Sequence, residues 1–190
     1  MGGCCWLVQA DGKRVRGPQA TNNFAVVPAG FLYKGTLFYS TEQAFQASKF
    51  APGSPAFRRV AAILPEEGDS GSAHGMACWQ AGQGGERVPE WDRVKVGVML
   101  DGCRAKVVSV PGLKEELLAT GTCAIEGGAS TEWVFRGMAH GWQLWNGRVQ
   151  MLLREELREE PDSALLASLQ ALFAEYAGEA PAAAGGTAGQ

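Results

Sequence analysis

No apolar run in the 190-residue chain approaches the roughly 20 residues that a membrane-spanning helix needs, so no transmembrane segment is expected. The N-terminus has neither the basic flank nor the apolar core of a secretory signal. Histidine is scarce: His74 and His140 are far apart and lack metal-ligand spacing, which predicts surface positions and no metal site. The five cysteines, Cys4, Cys5, Cys78, Cys103 and Cys123, are odd in number and form no CxxC pair. Neither a zinc site nor a disulfide framework is indicated, and reduced thiols and a cytoplasmic location are the expectation. Gly2 followed by Cys4 and Cys5 hints at acylation, but Trp6 stands where a myristoylation signal carries Ser or Thr. A formal net charge of −3 offers no footprint for non-specific duplex binding. It leaves room for a local basic pocket that takes one phosphate group.

The length fits one sizeable core, and 46% apolar with 19% charged residues is ordinary for a globular domain. The pattern predicts one mostly helical α+β domain over residues 1–177, with a small antiparallel sheet from its N-terminal third. A disordered Ala/Gly/Pro-rich tail is expected over 178–190. Asp11-Gly12 marks a hairpin turn, and Phe24–Val27 and Phe31–Tyr39 read as strands broken at Lys34-Gly35. Ser40 with Gln43 three residues on is a capping box opening a helix to about Phe50. Further helices are expected near 54–64, 89–107, 112–119, 147–158 and 163–176. Residues 65–85 read as irregular, with a helical turn around 73–81. Residues 123–126 read as a short strand, and 127–146 as a Gly- and Trp-rich connector.

The segment Ser40–Phe50 is the most informative. Each helical residue advances about 100°, so Glu42, Gln46 and Lys49 fall on one stripe flanked by Phe45 and Phe50. Spacing alone reads this as a solvated face with one Glu–Lys pair, worth a few tenths of a kcal/mol.

Its Ser40-Thr41-Glu42-Gln43-Ala44-Phe45-Gln46-Ala47-Ser48-Lys49-Phe50 resembles the signature S-x-E-x-x-F-Q-A-x-K-F of the NADAR/YbiA-like family. Asn23-Phe24 is similar to its S-N-F segment, and Trp91–Met99 to its W-x-x-V-K-x-x-V-M helix. Leu117–Gly121 matches L-L-x-T-G, and Met151–Leu157 looks like the terminal L-M-x-x-R-x-x-L. The matches keep family order over residues 22–157.

The resemblance implies an N-glycosidase acting on a ribosylamino-pyrimidine phosphate of riboflavin biosynthesis, or on a related ADP-ribosyl compound. Neither metal nor other cofactor is implied. Glu42 then stabilises an oxocarbenium-like ribose. Lys49 binds phosphate or attacks the anomeric carbon as an amine. Trp91 stacks on the base. Asn23, Phe24, Gln46 and Asn146 contact substrate. Two alternatives accompany this: a catalytically degenerate module that binds ADP-ribose or an NAD derivative, and a hydrolase acting on ADP-ribosylated guanine. The acidic balance argues against a nucleic-acid substrate.

The chain also departs from the family. Ser130 stands where an acidic residue precedes Trp133, and Val134 replaces the following glycine. Glu132 is adjacent, but on an extended chain it points to the other side. Glu132 or Asp69 would have to supply the second carboxylate. The loop His140–Gly147 keeps only Asn146-Gly147 of G-x-G-x-N-x-L-G, and Ala81-Gly82-Gln83 lacks the arginine of Leu-Gly-Arg.

Overall fold

The computed structural model describes residues 3–178. Of the residues on which acylation and a disordered tail were expected, Gly2 and 179–190 lie outside that range, whereas Cys4 is half-buried, Cys5 is buried and Gly178 caps the last helix. The described chain is an α+β domain of seven helices and three small antiparallel sheets. None of its helices is long and apolar enough to cross a membrane.

Strands β1 (Cys5–Val8) and β2 (Arg14–Arg16) form the hairpin expected around Asp11-Gly12, where Gly12 takes φ 80° and Asp11 Oδ1 accepts from Lys13 N at 2.9 Å. The other edge of β1 pairs antiparallel with β5 (Ala124–Gly127), with Leu7 opposite Ile125. A strand from the second half of the chain thus completes the N-terminal sheet. Strands β3 (Phe31–Tyr33) and β4 (Thr36–Phe38) turn at Lys34-Gly35, both with positive φ, as a tight two-residue hairpin demands.

Phe24–Val27, expected as a strand, is irregular. The Asn22 side chain accepts from Phe24 N at 3.0 Å and folds the segment into a turn, a local bond that outcompetes a ladder.

Helix α1 (Thr41–Ala47) begins as its sequence suggests, with Ser40 Oγ accepting from Gln43 N. Gln43 does not close the box onto Ser40. Its Oε1 takes the N–H of Tyr39, and its Nε2 donates to Ile63 O at 2.7 Å, tying α1 to the end of α2 (Pro55–Ala61). Residues 65–85 contain more order than expected: Asp69 caps a ten-residue helix, α3 (Ser72–Ala81), accepting from Gly71 N and His74 N. Helix α4 (Trp91–Ser109) is the long central element, and α5 (Leu113–Leu118) follows it.

The supposed connector over 127–146 is largely regular. It holds a hairpin, β6 (Glu132–Phe135) and β7 (Met138–Gly141), closed by Arg136-Gly137 with both φ positive. Helix α6 (Trp142–Leu157) starts five residues earlier than expected and lies on β5. Gly147 makes that contact possible, because a Cβ there would sit 2.0 Å from Ile125 O. Helix α7 (Ser163–Ala177), capped by Asp162, packs on α6 and α4.

One core gathers α4, α5, α6 and α7 around Val96, Met99, Leu117, Val149 and Leu153. A second lies under the β3–β4 hairpin around Phe38, Phe50 and Val60. Phe50 belongs there, so only Phe45 of the two flanking aromatics walls the Glu42 stripe. Helix α1 and the start of α6 meet beneath a cavity between these elements.

Candidate functional site

That cavity has a volume of about 340 Å³ and is open on one side. Its lining includes all seven residues expected from the sequence: Asn23, Phe24, Glu42, Gln46, Lys49, Trp91 and Asn146. The stripe on α1 is not a solvated face. Glu42, Gln46 and Lys49 are 6%, 2% and 7% exposed, because α2, α3 and α4 enclose α1.

Glu42 accepts a 2.6 Å hydrogen bond from Gln46 Nε2. Burial pushes its carboxyl pKa up to about 7; the Gln46 bond and the Lys49 charge oppose that rise only in part. Lys49 follows the end of α1, and its Nζ donates to Gly82 O at 3.3 Å. Burial lowers its pKa to about 8 against the attraction of Glu42, with Arg87 and Lys95 adding repulsion. A half-ionised acid and a readily deprotonated amine therefore share one pocket near neutral pH, as acid–base and nucleophilic chemistry require.

Asn23 and Asn146 are buried and bonded to each other, Nδ2 to Oδ1 at 3.1 Å. Asn23 O also accepts from Glu42 N at 2.9 Å, so the turn after β2 holds the first turn of α1. The Phe24 ring is held where Gly3 and Gly75 leave space for it, and Gly71 packs against the Phe24 carbonyl. On the opposite side stands an aromatic wall. Phe45 packs 5.1 Å from both Trp91 and Trp142, and Trp142 lies 5.1 Å from Trp133. Trp79 from α3 also reaches the cavity.

Two cations went unrecognised in the sequence. Lys95 is buried, bonded to Asp92 at 2.8 Å, with Nζ 3.9 Å from the centroid of the Trp133 ring. It follows Trp91 by four residues on α4, so helical spacing could have placed it on the same face. Arg87 lines the mouth from the α3–α4 loop. No periodicity could have found it.

Of the proposed second carboxylates, Asp69 caps α3 and does not line the cavity. The segment Ser130–Trp133 does line it, with Glu132 exposed at the rim.

Neither histidine is an incidental surface residue. His74 is 3% exposed within α3, its Nε2 3.6 Å from Cys78 Sγ. His140 stacks on Trp133 at 5.7 Å and accepts from Trp145 Nε1 at 3.3 Å, so its ring buttresses the aromatic wall. Among the described residues, no cluster of three or more His, Cys, Asp or Glu could hold a metal, and the five cysteines are unpaired.

Comparison of the chain with protein-family models, with curated proteins and with solved structures found no match.

Proposed function

We propose that the chain is an N-glycosidase of NADAR/YbiA-like type that hydrolyses the bond between a heterocyclic base and a phosphorylated ribose. One observation carries the reading: Glu42 and Lys49, both buried, face one cavity walled by indoles, and that burial raises the Glu42 pKa and lowers that of Lys49. The base stacks on Trp91 and its neighbours, where flat π-faces are accommodated without regard to ring substituents. The ribose then lies over Glu42. As the C1′–N bond lengthens, its electron pair leaves with the base nitrogen, and positive charge grows on C1′ and the ring oxygen. The ionised Glu42 carboxylate stabilises that charge and takes the proton of the attacking water. The departing base collects a proton from solvent. Asn23 and Asn146 fix the sugar. Lys49, Lys95 and Arg87 hold the phosphate, and Arg87 at the open mouth is free of any ion pair or hydrogen bond among the described residues.

The pH–rate profile tests the roles. Glu42 must be ionised, so kcat/KM is expected to rise as pH climbs through about 7. Lys49 as an ammonium loses its hold on phosphate above about 8, which closes a narrow bell. A rate that keeps rising through pH 8 would instead make Lys49 the amine nucleophile. Arg87→Ala is expected to raise KM about tenfold with little change in kcat, the loss of one charge-assisted bond made equally in ground and transition states. A fall in kcat at unchanged KM would place Arg87 at the reacting centre instead.

A second reading, binding of an ADP-ribose-like ligand without turnover, is favoured by Ser130, which lines the cavity where the family carries an acidic residue. Hydrolysis of ADP-ribosylated guanine shares the same bond type and is assayed alongside.

A further inference from the structure

We propose that Gly82 is a positioning residue for both reactive groups: its missing side chain seats the Gln46 amide against Glu42, and its carbonyl anchors Lys49. The proposal rests on the reading that Glu42 and Lys49 carry the chemistry.

Gly82 ends α3 at φ −80° and ψ 1°, a conformation open to any residue, so the backbone does not call for glycine there. What calls for it is contact. A Cβ at this position would lie 2.0 Å from Gln46 Oε1, 2.9 Å from its Cδ and 3.1 Å from its Cβ. The backbone on either side is tied to α2 by Arg59, which donates to Ala81 O at 3.1 Å and Gly84 O at 2.6 Å. All three close atoms belong to Gln46, and the nearest is its amide oxygen, so the collision falls on that amide. That amide has a single anchor: Nε2 donates to Glu42 Oε1 at 2.6 Å, while the buried Oε1 has no hydrogen-bond partner. Pushed from Gly82, it leaves Glu42. On the same residue, Gly82 O accepts from Lys49 Nζ at 3.3 Å, so one position sets the direction of both side chains.

The other groups around Glu42 do not substitute for this contact. Cys78 is kept a neutral thiol by burial, its pKa pushed up to about 12, and Lys49 acts only through its charge. Loss of the Gln46 bond removes the main hydrogen bond to the ionised carboxylate and therefore raises the Glu42 midpoint.

The test is a double-substitution cycle on the full chain: wild type, Gly82→Ala, Gln46→Ala and both together. The Glu42 carboxyl is titrated by carbon-13 NMR, and kcat and KM are measured on a ribosylamino-pyrimidine phosphate. The collision is with one flexible side chain and with no backbone atom, so G82A is expected to fold, which far-ultraviolet circular dichroism checks. In G82A the Glu42 midpoint is expected to rise by about one pH unit and kcat to fall about tenfold, with KM little changed. In the Gln46→Ala background, G82A should add nothing to either readout. A Glu42 midpoint in G82A equal to that of the wild type overturns the proposal, as does an effect of the same size in both backgrounds. Should G82A not fold, the cycle closes between Gln46→Ala and the double variant: a midpoint or kcat that differs between those two overturns the proposal, and equality supports it. If the wild type shows no turnover, the glycosidase reading fails, while the NMR titration still decides whether Gly82 positions Glu42.

Discussion

Glu42→Gln is expected to reduce turnover by roughly 10²–10⁴-fold while making the protein more stable, by about 3 kcal/mol, well above pH 7. The two effects share one cause. Below pH 4.5 the carboxyl is protonated in both the folded and the unfolded chain. Between there and about 7 the unfolded chain has released a proton that the folded chain still holds, because burial disfavours the carboxylate. The folded state binds more protons, so stability falls as pH rises at about 1.4 kcal/mol per pH unit. Above about 7 the penalty is complete. Glutamine keeps the shape and carries no charge, so it escapes the penalty. That penalty is already net of the Lys49 attraction, which lowers the Glu42 pKa against burial. Urea unfolding of both proteins near pH 4 and near pH 8.5 checks the sign. Curves that coincide at the lower pH and separate at the higher are the expected outcome. Destabilisation at the higher pH would mean that the carboxylate is fully satisfied and has no stored cost to release.

Glu155→Ala is expected to cost about 3–5 kcal/mol of stability, the largest structural loss foreseen in this chain. Glu155 is fully buried beside Arg154, itself 1% exposed, with Nε and Oε1 3.1 Å apart. Its other oxygen accepts from Arg158 at 2.9 Å and from Asp162 N at 3.1 Å, which fixes the entry into α7. Arg154 in turn donates to Cys123 O at 2.8 Å and to Thr120 Oγ1 at 3.1 Å, joining α6 to the turn before β5. Removing the carboxylate strands a guanidinium that is already disfavoured by burial. The contrast is Arg104→Ala. Its pairs with Asp101 and Glu156 are partly solvated, and its loss is expected to cost under about 1 kcal/mol. Equal losses from the two substitutions, measured by urea unfolding, would refute the distinction.

The α1 stripe shows how far the sequence could be read. Helical spacing put Glu42, Gln46 and Lys49 on one face, and Ser40 marked where the helix begins. Spacing could not tell that this face is buried, because burial is imposed by α2, α3 and α4 from elsewhere in the chain. The motif resemblance, not periodicity, pointed to a site there. Trp142 and Trp133 were not placed in the wall for a different reason: the glycines of 127–146 read as a connector, which concealed the hairpin and the early start of α6. Yet Arg136-Gly137 between Glu132–Phe135 and Met138–Gly141 is a legible two-residue turn. Asp69 failed as a candidate acid because a short loop carboxylate ahead of a helix is drawn to its free N–H groups.

The most direct test is product analysis by mass spectrometry after incubating the wild type and Glu42→Gln with a ribosylamino-pyrimidine phosphate. The account predicts free base and ribose phosphate in equal amounts from the wild type, and neither from the variant. Ligand that binds the wild type yet stays intact, or product formed equally by both proteins, would contradict it.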